Sequence, residues 1–217
     1  MVEVLDNILT VEEQDELENL VKGETFKEGN NIHWLNDSSN YFDKEGESKP
    51  HNAIIYIPEP EFQNETIPDY LKNKAIEKYI KLISRKVEER LNKRIKHFLR
   101  VKINKLSPLP KGEIDIKNDV HLDRDEQHHV MIYYINDSDG DTQFYKKNNK
   151  FNFETIKNII RNKEYDKFIE TESVSPKKGR VTVFEGNTPH KGCYPTKTDR
   201  YVINFNILFK TKLKKLI

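Results

Sequence analysis

His121-Leu122-Asp123, then His190 with Arg200 ten residues beyond it, are the positions in this chain whose types and spacing point to chemistry. Two imidazoles and one carboxylate match the two-His-one-carboxylate facial triad of mononuclear non-haem Fe(II) centres. The H-x-D spacing has a mechanical reason: on an extended strand, residues two apart project to the same side, so positions 121 and 123 can grip one ion while Leu122 turns away into packing. The third ligand can come from a distant segment when a barrel of strands closes on itself. Arg200 opens an apolar strand, and an arginine turned inward there is costly without an anionic partner. The order H-x-D, a long gap, H, then a basic residue is far more specific than any one of its pieces.

Those residues need strands to carry them, and the second half of the chain supplies the signals. Phe98 to Leu106, Ile116 to Asp123, His128 to Asn136, Thr142 to Tyr145, Val181 to Glu185 and Tyr201 to Phe209 hold β-branched and aromatic residues between turn formers. Asp137-Ser138-Asp139-Gly140 and Pro176-Lys177-Lys178-Gly179 have turn chemistry. The first half is more helical. Val2 to Ile8 reads as a short strand, and Thr10 with Glu13 forms a capping box ahead of an amphipathic helix over 11–22. A strand is expected near Ile32 to Leu35 and another over Ala53 to Ile57. Thr66 and Pro68 start a long helix that runs to about Ile95, with an apolar stripe that should lie against the outside of a sheet. Residues 146–170 are rich in Lys and Asn and read as an insertion with a short helix near Phe153 to Ile160. The expected fold is mainly β with a helical buttress (α+β). It forms one domain over 1–217: helical support in 1–96, a strand-built core in 97–209, and the 146–170 insertion.

Composition narrows the function class. The 217 residues carry 37 basic and 36 acidic side chains, a net charge of +1, which leaves no overall electrostatic footprint for generic nucleic-acid binding. Lys210, Lys212, Lys214 and Lys215 make a small basic end, read as solvated tail. Cys193 is the only cysteine, so no disulfide closes within the chain and a reducing compartment suits it. The opening MVEVLDNILT lacks a secretory pattern, and no apolar run is long enough to span a bilayer. A soluble, cytoplasmic protein is expected.

Several motifs together resemble a known family. They are His121-Leu122-Asp123, then Met131 to Asn136, Asp139 to Phe144, Pro176 to Phe184, Pro189-His190, and Arg200-Tyr201-Val202-Ile203-Asn204. Over 116–209 this resembles the Fe(II)/2-oxoglutarate-dependent dioxygenases, in particular the prolyl 4-hydroxylase-like branch with its small phage and bacterial members. The resemblance implies a double-stranded β-helix (jelly-roll) core with the N-terminal strand and helices packed outside. It also implies Fe(2+), 2-oxoglutarate and O2 as cofactor and cosubstrates, with ascorbate as an accessory reductant. His121, Asp123 and His190 would hold iron, and Arg200 would pair with the distal carboxylate of 2-oxoglutarate. Tyr134 would donate to the same carboxylate, and Thr142 and Asn204 are candidates for the cosubstrate pocket. The implied activity is hydroxylation of an unactivated C–H bond with decarboxylation of 2-oxoglutarate to succinate. Two departures bear on the substrate. Collagen-type and algal prolyl hydroxylases usually carry Lys where Arg200 stands, and only Arg124 to His129 separate Asp123 from the next apolar run.

Blander readings stand beside these. His33, His51 and His97 carry no functional claim. His128 and His129 are an alternative imidazole pair, but on a strand they face opposite ways, so at most one can meet the metal. Tyr133 competes with Tyr134, since alternation turns only one of them inward. Asp139-Gly140 reads as a turn, and Arg124 and Asp125 as loop. The rival functions are a cupin-like metal-binding jelly roll without oxygenase activity, a zinc hydrolase using the same three ligands, and a structural protein with a vestigial triad. Peptidyl proline, an amino acid, a nucleic-acid base and a natural product stay open as primary substrate.

Overall fold

The computed structural model describes residues 1–23, 35–36, 51–56, 74–108, 120–147, 153–162 and 164–210. The expected helix start at Thr66 and Pro68, residues 116–119 of the expected strand, His33, and the lysines past Lys210 lie outside them. In chain order the elements are β1 (Glu3–Leu5), α1 (Val11–Lys22), β2 (Leu35–Asn36), β3 (His51–Tyr56), α2 (Lys74–Leu91), β4 (Ile95–Leu106), β5 (His129–Tyr134), β6 (Thr142–Lys147), α3 (Phe153–Arg161), a 3-10 turn (Tyr165–Lys167), β7 (Phe168–Val174), β8 (Val181–Glu185), β9 (His190–Gly192) and β10 (Arg200–Phe209). They form a seven-stranded sheet in the order β1-β8-β5-β10-β4-β3-β2 and a three-stranded sheet β7-β6-β9, antiparallel throughout. Two antiparallel sheets with helices outside one of them make a jelly-roll core with a helical buttress.

Period-two alternation sorts the side chains of the large sheet. Met131 and Tyr133 of β5, Val181 and Val183 of β8, and Ile203, Phe205 and Ile207 of β10 face α1 and α2, where they meet Leu17, Val21, Ile76, Tyr79, Ile80, Ile83 and Val87. The helices are therefore present because their 3.6-period apolar stripes have this face to cover. The opposite face carries Val130, Ile132, Tyr134, Phe184 and Val202 against Phe144 and Val174 of the small sheet. Among the described residues no helix is long and apolar enough to cross a membrane.

Local chemistry sets the element ends. The Thr10 side chain accepts from the Glu13 backbone at 3.3 Å while the Glu13 carboxylate accepts from the Thr10 backbone at 2.9 Å, the reciprocal capping box read from the sequence. Gly23, left-handed at φ 77°, closes α1 by donating its N–H to Asn19. Strand β1 stops well short of Ile8, with Asn7 adopting φ 55°. Helix α2 ends at Leu91 rather than near Ile95, because Asn92 turns left-handed at φ 49° and Glu88 accepts the Ile95 N–H at 2.6 Å as β4 begins.

The expected strand over Ile116 to Asp123 is corrected. Of its described residues, Val120 to Asp123, only His121 pairs, through an isolated bridge to His190. Two elements were missed. Strand β7 buries only its end residues, so it lacks a hydrophobic period, and β9 is three residues long. The 146–170 segment contains the end of β6, α3, the 3-10 turn and the first residues of β7.

Tyr133 faces the helices and is fully buried, and its hydroxyl has no hydrogen-bond partner among the described residues. An unsatisfied buried hydroxyl costs about 1–3 kcal/mol. Tyr133→Phe should therefore leave the thermal midpoint unchanged or raise it. A fall of more than about 1 kcal/mol in unfolding free energy would show that the hydroxyl is satisfied after all.

Candidate functional site

His121 and His190 are joined by backbone rather than by proximity alone. The His121 N–H donates to the His190 carbonyl at 2.9 Å, and the His190 N–H returns a bond to the His121 carbonyl at 3.1 Å. Residues that exchange both bonds across an antiparallel pair carry their side chains side by side, and the ring centroids lie 4.7 Å apart. Asp123 completes the group: its Oδ1 is 3.7 Å from His121 Nε2 and its Oδ2 is 3.8 Å from His190 Nε2. The three ligating groups all fall within 4.8 Å of one another.

The protonation states suit a cation. His190 Nδ1 lies 3.0 Å from the Thr188 carbonyl, which can only accept, so Nδ1 carries the proton and Nε2 keeps its lone pair. Burial, together with neighbouring His121, pushes the His190 pKa down to about 4 against the pull of Asp123, so the ring is neutral at ordinary pH. Burial works against the ionised Asp123 carboxyl. His121, His190 and Arg100 outweigh it and hold that group well below the usual carboxylate range. A neutral imidazole at His190, a second imidazole at His121 and a buried carboxylate, with Phe144 and Phe184 around His190, fit Fe(II) by ligand type and count.

A second cluster lies on the same inward faces. The Tyr134 hydroxyl donates to Thr142 Oγ1 at 2.7 Å, and Arg200 Nη2 donates to the same oxygen at 2.8 Å. The Arg200 guanidinium sits 5.7 Å from the Tyr134 ring centre. Gly192 makes room for it, since a Cβ there would lie 3.1 Å from Arg200 Nη1. Arg200 is only 4% exposed, and Thr142 is fully buried.

Arg200, Thr142, His121, Asp123 and His190 line one cavity of about 370 Å³, within the usual range for a small-molecule site. Its inner β4 wall is Arg100, Lys102 and Asn104, and Val120, Leu122, Ile160 and Tyr165 add an apolar side. Helix α3 packs with Val120, Tyr145 and Phe168, which places Ile160 and Tyr165 there.

The structure thus brings together His121, Asp123 and His190 as one group and Arg200, Tyr134 and Thr142 as another. Asn204 stands with the first group rather than the second, because its amide donates to Asp123 Oδ2 at 3.0 Å. Sequence reasoning missed Asn206, which donates to the same oxygen at 2.9 Å, and Arg100, whose Nη2 lies 3.3 Å from Asp123 Oδ1. It also missed Gly192. His128 lies elsewhere, its Nδ1 2.7 Å from the Glu126 carbonyl, and His129 stacks edge-on against Phe209. Asp139 holds the turn as read, accepting from Thr196 and Lys197.

Residues 112–208 match the model of the 2OG-Fe(II) oxygenase superfamily. No curated protein is matched by the sequence. Among solved structures, a prolyl-4-hydroxylase of Pseudomonas putida is similar with 12% identity and a TM-score of 0.51, covering 95% of this chain and 91% of that one. The non-haem α-ketoglutarate-dependent epimerase SnoN of nogalamycin biosynthesis is similar at 9% identity and a TM-score of 0.58, over 95% and 77% of the two chains. The carbocyclase SnoK of the same biosynthesis follows at 11% identity and 0.52, over 95% and 78%. Identities this low establish a shared fold.

Proposed function

We propose, from the premise that this chain belongs to the 2OG-Fe(II) oxygenase superfamily through residues 112–208, that it hydroxylates an unactivated C–H bond of a second substrate while 2-oxoglutarate is converted to succinate. Enzymes of the superfamily use Fe(II), 2-oxoglutarate and O2. One observation carries the reading. A His-Asp-His group and a buried arginine share one cavity, so a cation and a dicarboxylate have partners in the same space.

In this reading His121, Asp123 and His190 would hold the iron. When bound, iron and 2-oxoglutarate would supply the oxidising chemistry, in which 2-oxoglutarate loses CO2, one oxygen atom of O2 enters succinate and the other enters the product. The residues do the positioning. Arg200 binds the distal carboxylate of 2-oxoglutarate with its planar fork. Thr142 accepts from Arg200 and from Tyr134, which fixes the guanidinium, while the one hydroxyl proton of Tyr134 is spent on Thr142. Phe144, Phe184 and Val202 keep water from the buried side of the cluster.

A zinc hydrolase on the same ligands would need a general base, and Asp123, already facing both histidines, is the only carboxylate among the described cavity residues. A metal-binding jelly roll without oxygenase activity would have no use for a buried arginine in the cavity of the metal ligands. The sampled folds include a prolyl hydroxylase, an epimerase and a carbocyclase, so the fold does not choose the substrate.

The test is incubation of the Fe(II)-loaded protein with O2, ascorbate, 2-oxoglutarate and a panel of peptides and metabolites, followed by mass spectrometry. Expected are succinate and one product heavier by a single oxygen atom, formed in equal amounts. Failure to bind or consume 2-oxoglutarate under any of these conditions would overturn the proposal.

A further inference from the structure

Asp123 meets more donors than a metal ligand requires, and they are distributed unevenly. A carboxylate oxygen offers about two lone-pair directions. Oδ2 accepts from the Asn204 amide at 3.0 Å and the Asn206 amide at 2.9 Å, which uses both. Oδ1 accepts from Arg100 Nη2 at 3.3 Å and lies 3.7 Å from His121 Nε2, so it is the oxygen that carries neither amide. The amide orientations follow from the chemistry, since a flipped asparagine would set its own oxygen against the carboxylate.

Strand geometry makes this arrangement rigid. Asn204 and Asn206 are two apart on β10 and so share its inner face, and the register pairs Asn206 with Arg100 on β4. Asn206 is fully buried, Asn204 is 8% exposed, and the Asp123 side chain is 4% exposed, so water does not compete for these bonds.

We infer that Asn204 and Asn206 are positioning residues that occupy Oδ2 and so restrict Asp123 to ligation through Oδ1. This rests on the reading that His121, Asp123 and His190 hold the metal. The consequence concerns coordination number. A carboxylate gripping with both oxygens would take a fourth position of a six-coordinate ion and leave two, whereas a cosubstrate chelate plus O2 needs three.

The test counts metal-bound water, not turnover. With Mn(II) alone, water-proton relaxation on the wild-type protein should report three coordinated waters, because three protein atoms leave three octahedral positions. Asn204→Leu/Asn206→Leu, which removes both donors at similar volume, should report two. Asn206→Ser, a milder change that withdraws one amide from Oδ2, should shift the count the same way if the double variant fails to fold. A count that stays at three in the folded variants overturns the inference, and a merely structural role for the asparagines would leave it there. His190→Gln separates this outcome from failure of the underlying reading. Loss of Mn(II) in His190→Gln with an unchanged water count in the asparagine variants sinks only the positioning role. Equal Mn(II) binding by wild type and His190→Gln sinks the triad itself, and the inference with it.

Discussion

His190→Ala is expected to lose Fe(II) binding, with an affinity at least 100-fold below wild type, on the order of 3 kcal/mol or more. The expectation comes from how completely the structure commits this ring. It is 2% exposed, its Nδ1 proton is held by the Thr188 carbonyl, and its Nε2 is turned toward Asp123. With that nitrogen removed, the remaining imidazole and carboxylate keep only two of three corners. Truncating a buried ring also leaves a cavity against Phe144 and Phe184, and such large-to-small changes typically cost about 2–5 kcal/mol of stability. His190→Gln keeps more of the volume, so comparing the two by thermal melting and by Fe(II) or Mn(II) titration separates lost ligation from lost packing. Normal metal affinity in a folded alanine variant would show that the ion, if any, binds elsewhere.

The grouping of His121, Asp123 and His190 was legible because its signal is local in type and long-range in order. Neither an H-x-D pair nor a lone histidine says much alone, but their sequence with a downstream arginine does. The reason offered for the H-x-D spacing was only partly right. His121 and Asp123 do meet at one site, yet among the described residues 120–123 His121 alone pairs, through a single bridge to His190. The pairing partner, not the strand, aligns the two rings. Asn204 was noticed but sent toward the cosubstrate, and Asn206 and Arg100 were not noticed at all. All three sit at alternate positions of apolar strands, a visible pattern. Which carboxylate they serve depends on the β10–β4 register, which pairs Asn206 with Arg100, and register is a property of two strands that neither shows by itself. The two helices facing the large sheet were legible from periodicity. Strand β7 was not, because five consecutive exposed residues separate its buried ends.

Arg200→Ala should raise the apparent constant for 2-oxoglutarate by roughly 30-fold or more while metal binding persists, since losing one partner of a desolvated ion pair costs about 2–5 kcal/mol. The guanidinium is 4% exposed, bonded to Thr142, and packed close over Gly192, where a Cβ would lie 3.1 Å from Nη1. Its removal would withdraw the charge proposed to face the distal carboxylate and would leave Thr142 with one donor fewer. Arg200→Lys should be milder. It restores a point charge, but a single ammonium cannot reproduce a planar fork that bonds Thr142 and a carboxylate together. The ordering wild type, Lys, Ala in 2-oxoglutarate affinity therefore tests charge and geometry at once. Titrating Mn(II) in all three variants checks that the metal group, built on different residues, is untouched. If 2-oxoglutarate bound the alanine variant as tightly as wild type, the arginine would be a buried structural cation, and the cosubstrate would have to be held by other residues of the same cavity.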